Sequence, residues 1–322
     1  MATKERLLEL FEARKGSFLS GEEIAQALSV SRTAVWKAVN ALRQEGYPIG
    51  AATNRGYCLG ECADVLSEQG VRRFLGQDGP QLEITVLPSL DSTNTWVRDR
   101  AALGAPEGCV VIAGEQTAGR GRRGRTFYSP KDTGVYMSLL LRPKHCAVSR
   151  ATGFTAMAAV AMCEAIEAVS GETAQIKWVN DVFVRGKKVC GILTEASLGM
   201  ESGEVDTVVL GAGVNLYPPR EGFPDALAQI ACAVLEDTVS DAKNRLAGEF
   251  LRRMMASYAA PEASGYVKKY RERSLVIGKT VTLLPEGRSV FVEDIDDACH
   301  LLVRDDSGET ACLSYGEIQV RM

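Results

Sequence analysis

The chain has 322 residues, 46% of them hydrophobic and 24% charged, with 37 Lys+Arg against 41 Asp+Glu for a net charge of −4. At about 100–200 residues per domain, two or three domains are expected, and the composition excludes a disordered chain. A uniformly basic nucleic-acid binder is excluded too, so any such role must sit in a local patch.

Behind its basic residues the start of the chain, Met1 to Leu8, has no apolar run, so no secretory leader is expected. Residues 1–60 read as one unit. A first helix carries Leu7, Leu8, Leu10 and Phe11 at helical spacing. Ser20 and Glu23 form a capping box ahead of a short helix that buries Ile24, Ala25 and Leu28. After the Ser29-Val30-Ser31 turn, a third helix places Val35, Val39 and Leu42 on one face and Arg32, Thr33, Trp36, Lys37 and Asn40 on the other. Two short strands around the Thr53-Asn54-Arg55-Gly56 turn complete a winged helix-turn-helix. Its third helix suits the major groove of DNA, and Arg55 on the wing suits phosphate. This unit holds 8 Lys+Arg and 6 Asp+Glu, a net of +2, leaving −6 for the remainder.

Residues 61–80 read as a connector closing with Gly76-Gln77-Asp78-Gly79-Pro80. Over 81–273, strands are expected at Ile84–Leu87, Cys109–Ala113, Val135–Leu141, Ile176–Trp178, Val182–Val184, Val189–Leu193 and Val205–Leu210. The short hairpin turn Arg185-Gly186-Lys187 favours an α+β domain with a mixed sheet over a doubly wound one. Helices are expected at Ala151–Val169, small and apolar enough to lie flat on the sheet, and from Asp241 to about Ser257. The longest uncharged apolar run, Ala151 to Cys163, falls short of the roughly 20 residues of a membrane span, so no membrane partner is expected. Residues 274–322 change to short β-rich runs, Thr280–Leu284, Ser289–Val292, Leu301–Val303 and Ala311–Leu313, suggesting a small separate β-barrel.

Nine cysteines are scattered singly, no C-x-x-C occurs, and His145 and His300 are the only histidines. Neither a disulfide framework nor a structural zinc is expected, no metal ligand is assigned, and reduced thiols of a cytoplasmic protein are the simplest reading.

The chemistry concentrates in four segments. Gly119-Arg120-Gly121-Arg122-Arg123-Gly124-Arg125 cannot be a core element. Its glycines let backbone amides approach a ligand, and its arginines offer forked donors to phosphate or carboxylate, so it reads as an anion-binding loop. It is not a Walker A loop, since no G-x-x-x-x-G-K-[ST] occurs. The second segment is Lys177-Trp178-Val179-Asn180-Asp181, followed by Lys187-Lys188-Val189-Cys190-Gly191-Ile192-Leu193. Alternation there would put Lys188, Cys190 and Ile192 on one face, the lysine poised for an anionic substrate, although a surface lysine pair reads equally well. The third, Asp91-Ser92-Thr93-Asn94, could be a helix N-cap and nothing more. The fourth, Gly211-Ala212-Gly213-Val214-Asn215-Leu216, reads as a strand end where backbone passes close to something.

Ser92-Thr93-Asn94, Gln116 ahead of the Arg/Gly loop, the K-W-x-N-D run, the K-x-x-G-I-L strand and G-A-G-V-N-L occur in the order seen in biotin protein ligases. With the winged helix, the entire chain resembles the bifunctional type, a biotin–[carboxyl carrier protein] ligase that is also the biotin operon repressor. The resemblance implies a class II synthetase-like central domain and an SH3-like C-terminal barrel. It implies that biotin reacts with ATP and Mg²⁺ to give biotinyl-5′-AMP, and that a lysine of a biotin carboxyl carrier protein then takes the biotinyl group. Arg120, Gly121 and Arg122 would bind the biotin carboxyl and acyl phosphate, Arg122 also holding the adenylate against leakage, and Lys188 would contact the same junction. Ser92, Thr93, Asn94 and Gln116 would hydrogen-bond the ureido ring and form the pocket floor. Asp181 would assist the incoming lysine or the metal, and Gly119, Arg123, Asn180 and Asn215 fall on the adenylate and ATP side. The loop would order over the intermediate and exclude water, and that ordering would couple to a homodimer that sets two winged helices on operator DNA.

Four positions depart from the family pattern: Val179 stands where proline is usual, Phe127 where tryptophan is, and Cys299-His300 where small residues are. A lipoate–protein ligase shares the reaction logic. A winged-helix sensor without catalysis would lack Lys188 or the loop arginines, and both are present. A ligase whose winged helix never represses is the remaining alternative.

Overall fold

The computed structural model describes residues 3–76, 79–199 and 203–320, so Gln77 and Asp78 of the expected connector lie outside the described residues. Helices α1 (Thr3–Ala13), α2 (Gly21–Leu28) and α3 (Arg32–Gln44) precede a hairpin of β1 (Ile49–Ala52) and β2 (Gly56–Leu59). The capping box forms: Ser20 Oγ accepts from the Glu23 amide at 3.1 Å, and the Glu23 carboxylate accepts from the Ser20 amide at 2.7 Å. Leu7, Phe11, Ile24, Val35, Val39 and Leu42 are fully buried in one core. Each such side chain contributes about 1.5–3 kcal/mol on burial. Leu10 and Ala25 sit only at its margin.

The stretch read as a connector is built structure. Helix α4 (Glu68–Leu75) is capped by Ser67 and packs on a later helix through Gly70, whose absent Cβ leaves room for Asn244. Asn244 accepts from the Ser67 amide and donates to the Val65 carbonyl. The Ser67 cap of α4 is a local signal, but the packing that fixes the helix depends on a partner some 175 residues away in the chain.

The central sheet has seven strands: β3 (Glu83–Leu87), β4 (Cys109–Ala113), β5 (Gly134–Leu141), β6 (Gln175–Lys177), β7 (Asp181–Val184), β8 (Lys187–Leu198) and β9 (Val205–Asn215). Their order is β3-β4-β5-β9-β8-β7-β6, with only the β3–β4 pair parallel, and α5 (Thr93–Ala102) connects that pair. β9 corrects the expectation of a strand end at Gly211. Its Gly211–Asn215 half continues the ladder in the middle of the sheet between β5 and β8.

Helix α6 (Ala151–Ser170) contacts the sheet, and its Ala156–Cys163 stretch is wholly buried. Val148–Ser170 is long and apolar enough to cross a membrane by length and composition, but it is 72% buried inside the protein as a core element. After α7 (Asp225–Ala228), α8 (Ala242–Ala259) packs on α6, followed by α9 (Pro261–Ser264) and α10 (Tyr266–Glu272). The C-terminal unit is an antiparallel sheet of β10 (Thr280–Leu284), β11 (Arg288–Ile295), β12 (Leu301–Arg304), β13 (Thr310–Leu313) and β14 (Glu317–Val320), in the order β13-β12-β11-β10-β14. The last strand alternates polar and apolar as a strand should, but four residues are too few for the pattern to stand out.

Candidate functional site

The Arg/Gly segment folds as a tight hairpin. Gly119 O accepts from the Phe127 amide at 2.9 Å, and Arg125 O accepts from the Gly121 amide at 2.7 Å. A side chain at Gly119 would meet the Phe127 carbonyl at 2.4 Å, so glycine is required for this close approach. Arg122 turns inward and donates to Asn180 Oδ1 at 3.0 Å. Arg123 and Arg125 turn outward to Glu317 at the start of β14, Arg123 at 3.7 Å and Arg125 in close contact. A residue of the C-terminal sheet thus fastens the loop, a role for Glu317 that short-range sequence reading could not find.

Beneath the loop lies a cavity of about 130 Å³ lined by Arg122, Lys177, Asn180, Asp181 and Lys188. Asp181 Oδ1 is buried and meets Lys188 Nζ at 2.7 Å without an aligned hydrogen bond. Burial pulls the pKa of Lys177 below its ordinary value, with Asp181 opposing and Lys188 adding to the effect. Burial likewise lowers that of Arg122, again opposed by Asp181. Arg122, Lys177 and Lys188 around Asp181, with Arg120 and Arg123 on the same lining, leave a positive excess in a part-buried space, the arrangement a polyanion neutralises. Lys177, the first residue of the K-W-x-N-D run, joins this cluster, a position no local pattern assigns to it.

The face of β8 differs from strict alternation. Lys188 pairs with Phe183 and Cys190 with Val182, so a bulge at Val189 inserts one residue and rotates Lys188 to the opposite face from Cys190. Cys190 is fully buried, whereas Lys188 shares its face with Asp181 and with Gly191, which pairs with Asp181. Gly191 pairs in turn with Gly213, and Leu193 with Gly211. The Phe127 ring lies over Gly191 and Gly213, where a Cβ would come within 3.2 Å and 2.6 Å of it.

Ser92, Thr93, Asn94 and Gln116 gather at the other end of this face, around a small space of about 20 Å³. Ser92 occupies the N-cap of α5 but makes no side-chain capping bond, so the segment is more than a cap. Gln116 Oε1 accepts from the Thr93 amide at 2.9 Å and its hydroxyl at 3.1 Å, and Gln116 Nε2 donates to Ser129 Oγ. Asn94 accepts from Ser138 at 2.6 Å and donates to Glu195 at 2.8 Å. Glu195, unrecognised in the sequence, pairs with Arg120 at 3.2 Å and so ties the loop to the pocket floor. Arg120, Phe127, Gly191 and Leu193 line both spaces, which makes them one groove with a neutral hydrogen-bonding end and a cationic end. Gly121 and Arg123 line the cationic end. Gly119, at the base of the hairpin, and Asn215, whose amide donates to the Cys232 carbonyl at 3.4 Å, line neither space. The Trp178–Val179 peptide ahead of Asn180 is cis.

On the N-terminal unit, Arg32, Thr33, Trp36 and Lys37 are exposed on α3, Trp36 to 56%, and Asn40 is half-buried. Arg32, Thr33 and Trp36 face the wing residues Ala51 to Asn54 across an open groove. Arg55 is exposed on the wing, its guanidinium 4.1 Å above the Phe18 ring, which holds it in place.

Three family descriptions match the chain: an HTH domain over residues 3–58, the Biotin/lipoate A/B protein ligase family over 86–215, and the Biotin protein ligase C terminal domain over 276–321. The chain is 39% identical over 231 residues to the bifunctional ligase/repressor BirA of Bacillus spizizenii, covering 72% of this chain and 70% of that one. It is 30% identical over 313 residues to the bifunctional ligase/repressor BirA of Escherichia coli, covering 95% and 94%. The solved biotin protein ligase of Aquifex aeolicus in complex with biotin and ATP superposes with a TM-score of 0.62 at 25% identity, covering 74% of this chain and 98% of that one.

Proposed function

The chain belongs to the bifunctional biotin protein ligase and repressor family, and we infer from this membership and its groove how it works. It is an ATP-dependent biotin–[acetyl-CoA-carboxylase] ligase that also binds DNA as a repressor. The observation that carries the mechanistic reading is the two-ended groove under the Arg/Gly hairpin. Ser92, Thr93, Asn94 and Gln116 are the donors and acceptors for the ureido ring, and Phe127 covers the ring system from above. This orientation sends the biotin carboxylate toward Arg120, Gly121, Arg122 and Lys188.

There the carboxylate oxygen attacks the α-phosphorus of ATP, and pyrophosphate leaves with the electrons of the broken P–O bond. Arg122, Lys177 and Lys188 offset the negative charge brought together in that step. Asn180 steers Arg122, and Gly119 and Arg123 support the loop on the nucleotide side, with Asn215 on the strand behind. A carrier lysine amine then attacks the acyl carbon, forming an amide and releasing AMP, with Asp181 placed to orient that amine. Mg²⁺ would supply charge neutralisation on the phosphates of ATP; Asp181, the carboxylate nearest them, already has Lys188 Nζ 2.7 Å from Oδ1, so it would hold the ion only if that lysine turned to the substrate.

The reading extends to organisation: units at 1–60, 81–273 and 274–322 joined by 61–80, a class II synthetase-like centre and an SH3-like closure of the C-terminal sheet. The adenylate-bound chains pair as a homodimer on operator DNA in the cytoplasm, a setting supported by nine cysteines held as free thiols.

Incubation with biotin, ATP, Mg²⁺ and a biotin carboxyl carrier domain tests the transfer step by mass spectrometry. The carrier gains one biotinyl group, and replacing its acceptor lysine with arginine abolishes the gain. An unmodified carrier would contradict the reading. A second expectation concerns the pocket floor, where a methyl at Gly211 would sit 2.0 Å from Asn94 Oδ1. Asn94 is anchored by Ser138 and Glu195 and cannot yield freely. Gly211→Ala therefore weakens biotin binding by tenfold or more, about 1.4 kcal/mol, by calorimetry. Unchanged affinity would remove Asn94 from the biotin site.

A further inference from the structure

No C-x-x-C pair marks a metal site in this sequence, yet the fold gathers three ligating side chains of different kinds at one end of the C-terminal sheet. Asp296 and His300 belong to the turn between β11 and β12, and Cys312 comes from β13 beside it. Asp296 Oδ2 lies 3.1 Å from His300 Nδ1 and 3.6 Å from Cys312 Sγ, and the ligand atoms of all three residues fall within 4.8 Å of one another. Bonds of about 2.0–2.3 Å at tetrahedral angles place ligand atoms roughly 3.3–3.6 Å apart, so little movement separates this cluster from a zinc coordination shell.

The turn is also pre-set. Asp296 Oδ1 accepts from the Ala298 and His300 amides at 2.9 and 2.7 Å, and the His300 carbonyl accepts from the Asp296 amide at 2.9 Å. One carboxylate oxygen is therefore committed to the backbone while the other is aimed at the imidazole and the thiol. The His300 side chain is 17% exposed and Asp296 31%, and Cys312 lies on the outside, an open approach for an ion.

We propose that Asp296, His300 and Cys312 form a binding site for Zn²⁺ or a similar borderline transition metal, with water as the fourth ligand. The Cys312 thiol gives its proton to solvent as the thiolate–metal bond forms. The site has a mechanical consequence for the groove. Cys299, inside the same turn, accepts at its carbonyl from buried Trp178 Nε1 at 3.0 Å, and Trp178 lines the cationic end of the groove. A bound ion cross-links the turn to β13 and steadies the acceptor on which Trp178 rests.

Chelator-stripped full-length chain titrated with Co²⁺ alone, and separately with Zn²⁺ alone, tests this. One equivalent of Co²⁺ produces thiolate-to-cobalt charge-transfer absorption, Zn²⁺ bleaches it, and Zn²⁺ raises the melting temperature. Cys312→Ser and His300→Gln each lose the absorption and the melting shift, while Cys62→Ser, at an exposed thiol elsewhere, keeps both. No charge-transfer absorption in the wild type, or an unchanged band in Cys312→Ser, would overturn the proposal and leave a hydrogen-bonded turn only.

Discussion

Lys188→Ala lowers the turnover of biotin-dependent pyrophosphate release by about 10²–10³-fold, the usual cost of removing one preorganised group facing developing charge. Lys188 Nζ stands 2.7 Å from Asp181 Oδ1 in the cationic end of the groove, so its loss removes the cation nearest that carboxylate and leaves Asp181 to repel phosphate. The effect falls mainly on kcat, because the end of the groove proposed to hold the ureido ring is lined by other residues. Stability falls as well, because Asp181 Oδ1 is buried and loses its lysine partner, so kcat is compared on folded protein. Lys188→Arg restores only part of the rate, since a planar fork replaces a compact ammonium beside Gly191. Equal kcat for Lys188→Ala and wild type in the steady state would remove the lysine from the reaction.

Replacing Arg32 and Lys37 together with alanine weakens operator binding by about 10²-fold and flattens its salt dependence, while pyrophosphate release stays at the wild-type rate. Both side chains are exposed on α3, so the fold of the N-terminal unit is preserved. Each phosphate contact removed reduces the salt slope by about one, and a lost base contact costs about 1–3 kcal/mol. Electrophoretic mobility shift across several salt concentrations reads both effects, and unchanged binding would displace α3 from the DNA.

Point variants are needed here because the N-terminal unit is wired into the centre. Lys15 Nζ reaches Asp241 Oδ1 and the Ala63 carbonyl at 2.6 Å each. Arg73 joins the same Asp241 at 2.6 Å and Glu12 at 3.2 Å. Burial raises the pKa of Glu12 even with Lys15 and Arg73 beside it, which marks how enclosed this junction is. Deleting residues 1–60 strips Lys15 and Glu12 from the network, and breaking a buried pair by removing one partner costs about 3–5 kcal/mol. A deletion would therefore mix a stability defect with the loss of DNA contacts.

What the sequence made legible is local. Ser20 and Glu23 announce a helix start within four residues, and apolar runs bounded by turns mark the strands of the central sheet. The Arg/Gly hairpin stands out because its composition fits no core element. What it concealed depends on distant partners. Glu195 and Glu317 are ordinary acidic residues until Arg120 and Arg125 meet them. The bulge at Val189 follows from how β7 and β8 register, so strict alternation put Lys188 on the wrong face. Helix α4 is fixed by Asn244, and Asp296, His300 and Cys312 converge only once β12 and β13 pair.

Pyrophosphate release from ATP by the full-length chain, measured with biotin and separately with lipoate, is the most direct test of the two-ended groove as an adenylating site. Release that depends on biotin and is absent with lipoate is the expected result if, as proposed, the Ser92–Asn94 and Gln116 end takes the ureido ring, which lipoate lacks. Release with lipoate in place of biotin would assign the site to the other acid. Release with neither would leave a DNA-binding protein whose groove holds its ligand without reacting, and either outcome would contradict the account.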